Sequence, residues 1–254
     1  HKRHPIRIHY KLGAKKDGTL VAAQITFYVD KGAYASTGIA VMRKASSHAT
    51  GPYKVPNIAV DVIGVFTNNN PCGAMRGFGA AQTAVAYEGL MDRLATKLGM
   101  DKAELRRKNL VKSGDEVTTG QVVPYATAVE CFDAVLQKID WPHRSYETPA
   151  PHLKRGYGVS IVCFGLGYGD GFPDASRARC RLRPAGIIEV YSSGCDVGQG
   201  LINMVAQITA EEIGLPLDRV RPILADTART PESGSSSATR QTYFTGSAVQ
   251  IAAA

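Results

Sequence analysis

Apolar and polar residues alternate over residues 6–12, with Ile6, Ile8, Tyr10 and Leu12 set against Arg7, His9 and Lys11. A two-residue period is that of a strand with one buried face. Asp17-Gly18 supplies a hairpin turn, and Val21, Ala23, Ile25, Phe27 and Val29 resume the alternation, so the first two strands are expected to pair. The run IAVDVIGVF over 58–66 predicts a third strand. Over 83–98 the period changes: Tyr87, Leu90, Met91, Leu94 and Leu98 fall on one helical stripe, stopped by Gly99. Asp101 and Glu104 suit the cap of a second helix running to Leu110. A third helix is expected over 127–139, with Val129, Phe132, Leu136 and Ile139 inward.

Residues 142–155 (PHRSYETPAPHLKR) are polar and Pro-rich, which marks them as a linker between a part-domain over 1–141 and another over 156–254. Beyond it, Ala178, Cys180 and Leu182 alternate with arginines, and the turn Arg183-Pro184-Ala185-Gly186 leads into a strand over 187–192. A Gly-rich loop, a helix over 201–213 closed by Gly214, a strand near 219–225, a small-residue loop and a helix from about residue 240 follow. No repeat of fixed period is visible. Hairpins mixed with strand–loop–helix units give the α+β (mixed α/β) class.

Composition narrows the function classes. With 254 residues, 44% hydrophobic and 20% charged, the chain can bury a sizeable core and is neither disordered nor fibrous. No apolar run approaches the ~20 residues of a membrane helix. The start, His1-Lys2-Arg3-His4-Pro5, has neither Met nor a signal-peptide pattern and reads as the interior of a longer polypeptide. The net charge is +8, and Lys2, Arg3, Arg7, Lys11, Lys15 and Lys16 all precede the first acid, Asp17. No nucleic-acid fold signature accompanies this arm, so a solvated strand face or a protein interface is expected. Cys72, Cys131, Cys163, Cys180 and Cys195 form no C-x-x-C pair. That argues against a disulfide framework and against a zinc or iron–sulfur site, and leads to the expectation that most are reduced core residues, in a cytoplasmic setting.

Three segments share a plan of strand, small-residue loop and helix start: Pro71–Gln82 (PCGAMRGFGAAQ), Gly194–Gly200 (GCDVGQG) and Ser233–Thr239 (SGSSSAT). Glycine lets a backbone approach a ligand closely, and helix N-termini present unpaired N–H groups, so such loops can cradle an extended polar, anionic ligand. A dinucleotide site fits poorly. Gly77-x-Gly79 is only part of that fingerprint and lies about ten residues beyond the strand, and there is no G-x-x-x-x-G-K-[ST] loop. Histidines at 1, 4, 9, 48, 143 and 152 give Ser235, Ser236 and Ser237 no triad, and those serines suit donors to a bound group better.

At these loops the chain resembles the molybdenum-cofactor-binding large subunits of the xanthine dehydrogenase/aldehyde oxidase family. Pro71–Gln82 resembles their arginine–glycine–phenylalanine–glycine loop. Gly194–Gly200, the Asp226-Thr227 turn and Ser233–Thr239 resemble their two pterin-embracing loops, and GPYKVPN over 51–57 and LRRKNL over 105–110 add support. The resemblance spans nearly the whole chain in motif order and is weakest over 111–155. It implies a molybdenum–pyranopterin cofactor, molybdopterin or its cytosine dinucleotide, used to hydroxylate an electron-poor carbon of a xanthine-like N-heterocycle or an aldehyde with oxygen from water. It also implies iron–sulfur clusters and FAD on other domains or subunits of an oligomeric enzyme, and contact with the remainder of the molybdenum subunit.

Residue by residue, the resemblance implies that Arg76, with Gly77, approaches the metal's oxo ligand through its backbone amide, and that Phe78 stacks on a substrate ring. Gly198, Gln199 and Gly200 would hold the pterin, as would Ser236, Ser237, Ala238 and Thr239, with the Ala238 amide closest to the metal. Tyr168 falls where purine-oxidising members carry a second stacking ring. The arginine that anchors purines falls at Lys44, with Arg43 beside it. The family's glutamate base has no counterpart before Ala254, so no catalytic residue is assigned and these residues alone are expected to be inactive. The competing expectation is a non-catalytic scaffold that binds nothing without its neighbouring segments.

Overall fold

The computed structural model describes residues 2–169 and 171–254. His1, which opens the basic arm, lies outside them. The chain forms two compact units, His1–Phe164 and Gly165–Ala254.

The first unit is built on a hairpin. β1 (Ile6–Ala14) and β2 (Leu20–Gly32) pair antiparallel, with Ile8 opposite Phe27. Helix α1 (Gly38–Ser47) then crosses over, and β3 (Asn57–Phe66) pairs parallel to β2, with Phe27 opposite Val62. Leu20, Ala23, Ile25, Phe27 and Val29 are all buried, as their alternation predicts. Helix α2 (Ala80–Leu98) covers this face, followed by α3 (Lys102–Asn109) and α4 (Ala128–Lys138).

On α2 the buried stripe runs through Thr83, Tyr87, Met91 and Ala95, while Leu90, Leu94 and Leu98 lie at its half-buried edges. Small Thr83 and Ala95 bring the helix close to its neighbours, so the centre of contact moves off the leucines. Asp101 caps α3 by accepting from the Ala103 and Glu104 amides. Asn109 ties α3 to the hairpin, accepting from Leu20 N at 2.9 Å and donating to Gly18 O at 2.9 Å.

The second unit repeats the plan without repeating the sequence. β4 (Arg179–Arg183) and β5 (Ile187–Ser192) form a hairpin, α5 (Leu201–Ile213) crosses over, and β6 (Val220–Leu224) joins parallel to β5. Val190, Leu201, Val205, Val220 and Val249 make its core, with Val249 on α6 (Gly246–Ala253).

Three features depart from the sequence reading. Helix α1 has no counterpart in the periodicity, because its buried residues are Gly38, Val41 and Ala45 and no side chain caps it. Leu182 does not face inward. It is 71% exposed, because Arg183 is half-buried and bonds the buried Glu189 at 2.8 Å. The final helix is preceded by one wide π turn over Gln241–Thr245, so α6 starts at Gly246. Among the described residues no helix is long and apolar enough to cross a membrane.

Candidate functional site

Two of the three loops occupy equivalent points of the two repeats, after the third strand of each unit, and the other follows β5. In the first unit, the loop after β3 ends in a tight turn. Phe78 N donates to Met75 O at 2.8 Å and Ala80 N to Gly77 O at 2.9 Å. Gly77, Phe78 and Gly79 all have positive φ, at 96°, 48° and 100°. Three such residues in succession hold the turn open, and among the described residues the Arg76 N–H has no acceptor. Arg76 is exposed and Phe78 half-buried.

Helix α1 backs this turn. Thr83 Oγ1 bonds both Gly79 O (3.1 Å) and Ala45 O (3.4 Å), tying α2 to α1. Lys44 and Arg43 lie on the same helix and differ in setting. Arg43 is exposed, whereas Lys44 is half-buried with its ammonium 4.6 Å from the centre of the Phe164 ring. His48 packs against that ring too, at 5.3 Å, and burial holds its imidazole below the usual pKa, which favours the neutral ring. Phe164 and His48 were not legible as site residues, since each is a lone residue without a motif.

In the second unit the two loops are laced together. Ser236 Oγ donates to Cys195 O at 2.7 Å and accepts from Cys195 N at 2.8 Å. Ser193 Oγ accepts from Ser233 N at 2.7 Å and lies 2.8 Å from Ser233 Oγ. Gly194–Gly200 and Ser233–Thr239 therefore form one surface.

The N-terminus of α5, however, does not present unpaired amides. Asp196 Oδ1 accepts from Gly198 N at 2.8 Å and Oδ2 from Ile202 N at 3.1 Å. These backbone donors hold the Asp196 carboxyl below its ordinary pKa. A carboxylate already answers the helix dipole here, so this end of α5 is not an anion cradle. Gln199 is folded back on its own loop, accepting from Val197 N at 2.6 Å and donating to Cys195 O at 3.0 Å.

The unpaired donors lie in the other loop. Ala238 and Thr239 are consecutive left-handed residues (φ 53° and 57°), and among the described residues neither of their N–H groups has an acceptor. The Ser237 hydroxyl is 2.8 Å from Tyr168 Oη, which also bonds Ser235 Oγ, so Tyr168 meets this loop through its hydroxyl. The loops at 71–82 and 233–239 thus each offer backbone donors from a turn that other residues hold in shape, as a polar ligand would require.

Two family models match, both described as a molybdopterin cofactor-binding domain, one over residues 1–110 and one over residues 134–254. The chain is 38% identical over 250 residues to a probable xanthine dehydrogenase subunit of Bacillus subtilis (strain 168), covering 98% of this chain and 33% of that protein. It is 50% identical over 138 residues to the nicotinate dehydrogenase large molybdopterin subunit of Eubacterium barkeri, covering 54% of this chain and 32% of that one. The solved aldehyde oxidoreductase from Desulfovibrio gigas superposes with a TM-score of 0.85 at 33% identity, covering 99% of this chain and 28% of that one. The chain spans about a third of the curated relatives that it matches.

Proposed function

The chain belongs to the molybdopterin cofactor-binding domain family, and from that premise we propose that it supplies the cofactor-holding loops of a molybdenum hydroxylase acting on an N-heterocycle or an aldehyde. The observation that carries this reading is the set of unpaired amides at Arg76, Ala238 and Thr239, each in a left-handed or adjoining turn fixed by other contacts. These groups fit a bound pyranopterin and its metal ligands, which need donors and no protein side chain on the metal. When bound, that cofactor supplies Lewis-acid and two-electron chemistry. The chain's own part is to hold it. In the first unit Arg76 and Gly77 donate through their backbones; in the second, taken by itself, Ala238 and Thr239 do so. Gly198, Gln199, Gly200, Ser236 and Ser237 shape the surface on which the pterin lies.

The same reading divides the chain into two cofactor-binding domains, the first with the Arg76 loop and the second with the other two. It places the chain in a cytoplasmic, oligomeric enzyme with the rest of its molybdenum subunit and with iron–sulfur and flavin modules. Metal and phosphorus analysis of the whole purified protein tests it. Molybdenum and phosphorus in a fixed ratio are expected, and their absence would return the chain to a scaffold.

On the substrate side we propose Phe78 as the stacking ring, Tyr168 as a further aromatic wall, and Lys44 as the cation facing negative charge that develops on the substrate. Lys44 is favoured over Arg43 because it is half-buried against Phe164, where an electrostatic contact is less screened. Lys44→Ala in the whole enzyme is expected to lower kcat/KM for an N-heterocycle by about tenfold or more, or about 1.4 kcal/mol, and Arg43→Ala to change it little. The reverse pattern would move the role to Arg43.

A further inference from the structure

Consecutive left-handed residues that are not glycine persist only where their surroundings over-determine them. At Ala238-Thr239 the surroundings are supplied by the next residue, Arg240, and by the segments 167–168 and 174–175. Arg240 is 1% exposed. Its Nε donates to Asp174 Oδ1 at 2.9 Å, its Nη1 to Ser233 O at 2.7 Å, and its Nη2 to Ala175 O at 2.6 Å. The guanidinium lies directly against the loop backbone: a Cβ at Gly234 (φ 72°) would sit 2.5 Å from Nη1 and 2.9 Å from Cζ. From the other side Gly167 N donates to Ala238 O at 2.9 Å, and Tyr168 Oη bridges Ser235 and Ser237. Asp174 joins the two halves, because its Oδ2 accepts from Tyr168 N at 2.8 Å while its Oδ1 holds Arg240.

We propose that Arg240, anchored by Asp174, is a positioning residue that sets the Ser233–Thr239 loop in its ligand-holding shape before any cofactor arrives, with the Tyr168 hydroxyl completing the brace. The inference rests on the reading of this loop as a cofactor loop. It adds that the loop is built by this chain and not moulded by the ligand. The role depends on the flat fork of a guanidinium, which reaches a carboxylate and two carbonyls at once. A lysine ammonium keeps the charge and cannot span all three. A preset loop offers Ala238 N–H and Thr239 N–H with little ordering entropy left to lose on binding, and so raises cofactor affinity.

The test uses the full-length subunit in its native assembly, produced with and without molybdate. Hydrogen exchange of the cofactor-free protein reads the loop directly, and molybdenum per protein reads its consequence. In the wild type, the hydrogen-bonded amides of Ser233, Ser237 and Arg240, read in peptides over 233–240, are expected to be protected without cofactor. Arg240→Lys should speed their exchange by about tenfold while peptides from β5 and α5 stay unchanged, which separates a local brace from general unfolding. Tyr168→Phe, which keeps the ring and removes only the hydroxyl, should speed the same peptides by a smaller factor, and both variants should carry less molybdenum. If Arg240→Lys is not obtained folded, Tyr168→Phe decides by the same comparison. Unprotected wild-type loop amides, or unchanged exchange and molybdenum in the variants, would overturn the proposal. A loosened loop with full molybdenum would overturn the positioning role and with it the cofactor reading of this loop. A wild-type protein without molybdenum would fail the wider reading alone and leave the exchange result standing.

Discussion

Arg106→Ala is expected to destabilise the first unit by about 3–5 kcal/mol, the usual cost of leaving a buried charge without its partner. Arg106 is 1% exposed on α3 and donates through Nε to Glu88 Oε2 at 2.7 Å, through Nη2 to Glu88 O at 3.0 Å and through Nη1 to Lys102 O at 3.1 Å, and it forms an ion pair with the Asp92 carboxylate at 2.8 Å. Tyr53 closes the network by donating to Glu88 Oε1 at 2.5 Å, and burial together with the Glu88 charge pushes its phenol far above the ordinary value. Removing the guanidinium leaves Glu88 half-buried with a single donor and opens a void beneath α2. Denaturant unfolding of this chain, followed by its one tryptophan, Trp141, in the first core, measures the loss. A shift below about 1 kcal/mol would mean that the network is no stronger than an exposed ion pair.

Gly79→Ala is expected to cost about 3 kcal/mol or more and to strip most of the molybdenum from the whole protein. The reason is backbone geometry. Gly79 has φ 100° and ψ −37°, which an L side chain rarely adopts, and its Cβ would lie 2.6 Å from Val41 O and 3.0 Å from Ala45 Cβ on α1. A helix carbonyl cannot step aside, so strain and overpacking add, each about 1–3 kcal/mol. The turn that opens the Arg76 amide would be the part to yield. Gly89→Ala is the control: it sits inside α2 with nothing within 4 Å of the new Cβ and should gain roughly 0.5–1 kcal/mol. Equal behaviour of the two variants would remove Gly79 from any role in shaping the loop.

Much of the architecture was legible because its causes are local. The alternation at 6–12 and 21–29 with Asp17-Gly18 between them specifies a hairpin, and α5 has the expected bounds of 201 and 213 because a Gly-rich loop and Gly214 enclose a clean apolar stripe. The loops themselves were legible as runs of small residues, and their order carried the resemblance to molybdenum-cofactor subunits.

What the chain alone did not decide is which of several similar residues is chosen. LRRK over 105–108 presents three neighbouring cations. Only packing decides that Arg106 is buried against Glu88, while Arg107 pairs with Asp133 at the surface. In the loop at 194–200 the glycines suggested a cradle for an anion. The fold instead places Asp196 over the α5 amides and leaves the unpaired donors at Ala238 and Thr239. The serines of 235–237 read as ligand donors, yet their hydroxyls are engaged by Tyr168 and Cys195. Periodicity and turn chemistry act over a few residues, so the sequence by itself determined most of the elements, the hairpins and the small-residue loops of this protein, though not α1. The partners of Arg106 and Arg240 lie up to 66 residues away. Only the tertiary structure could bring them together, because burial makes a charge seek a partner wherever the fold has placed one.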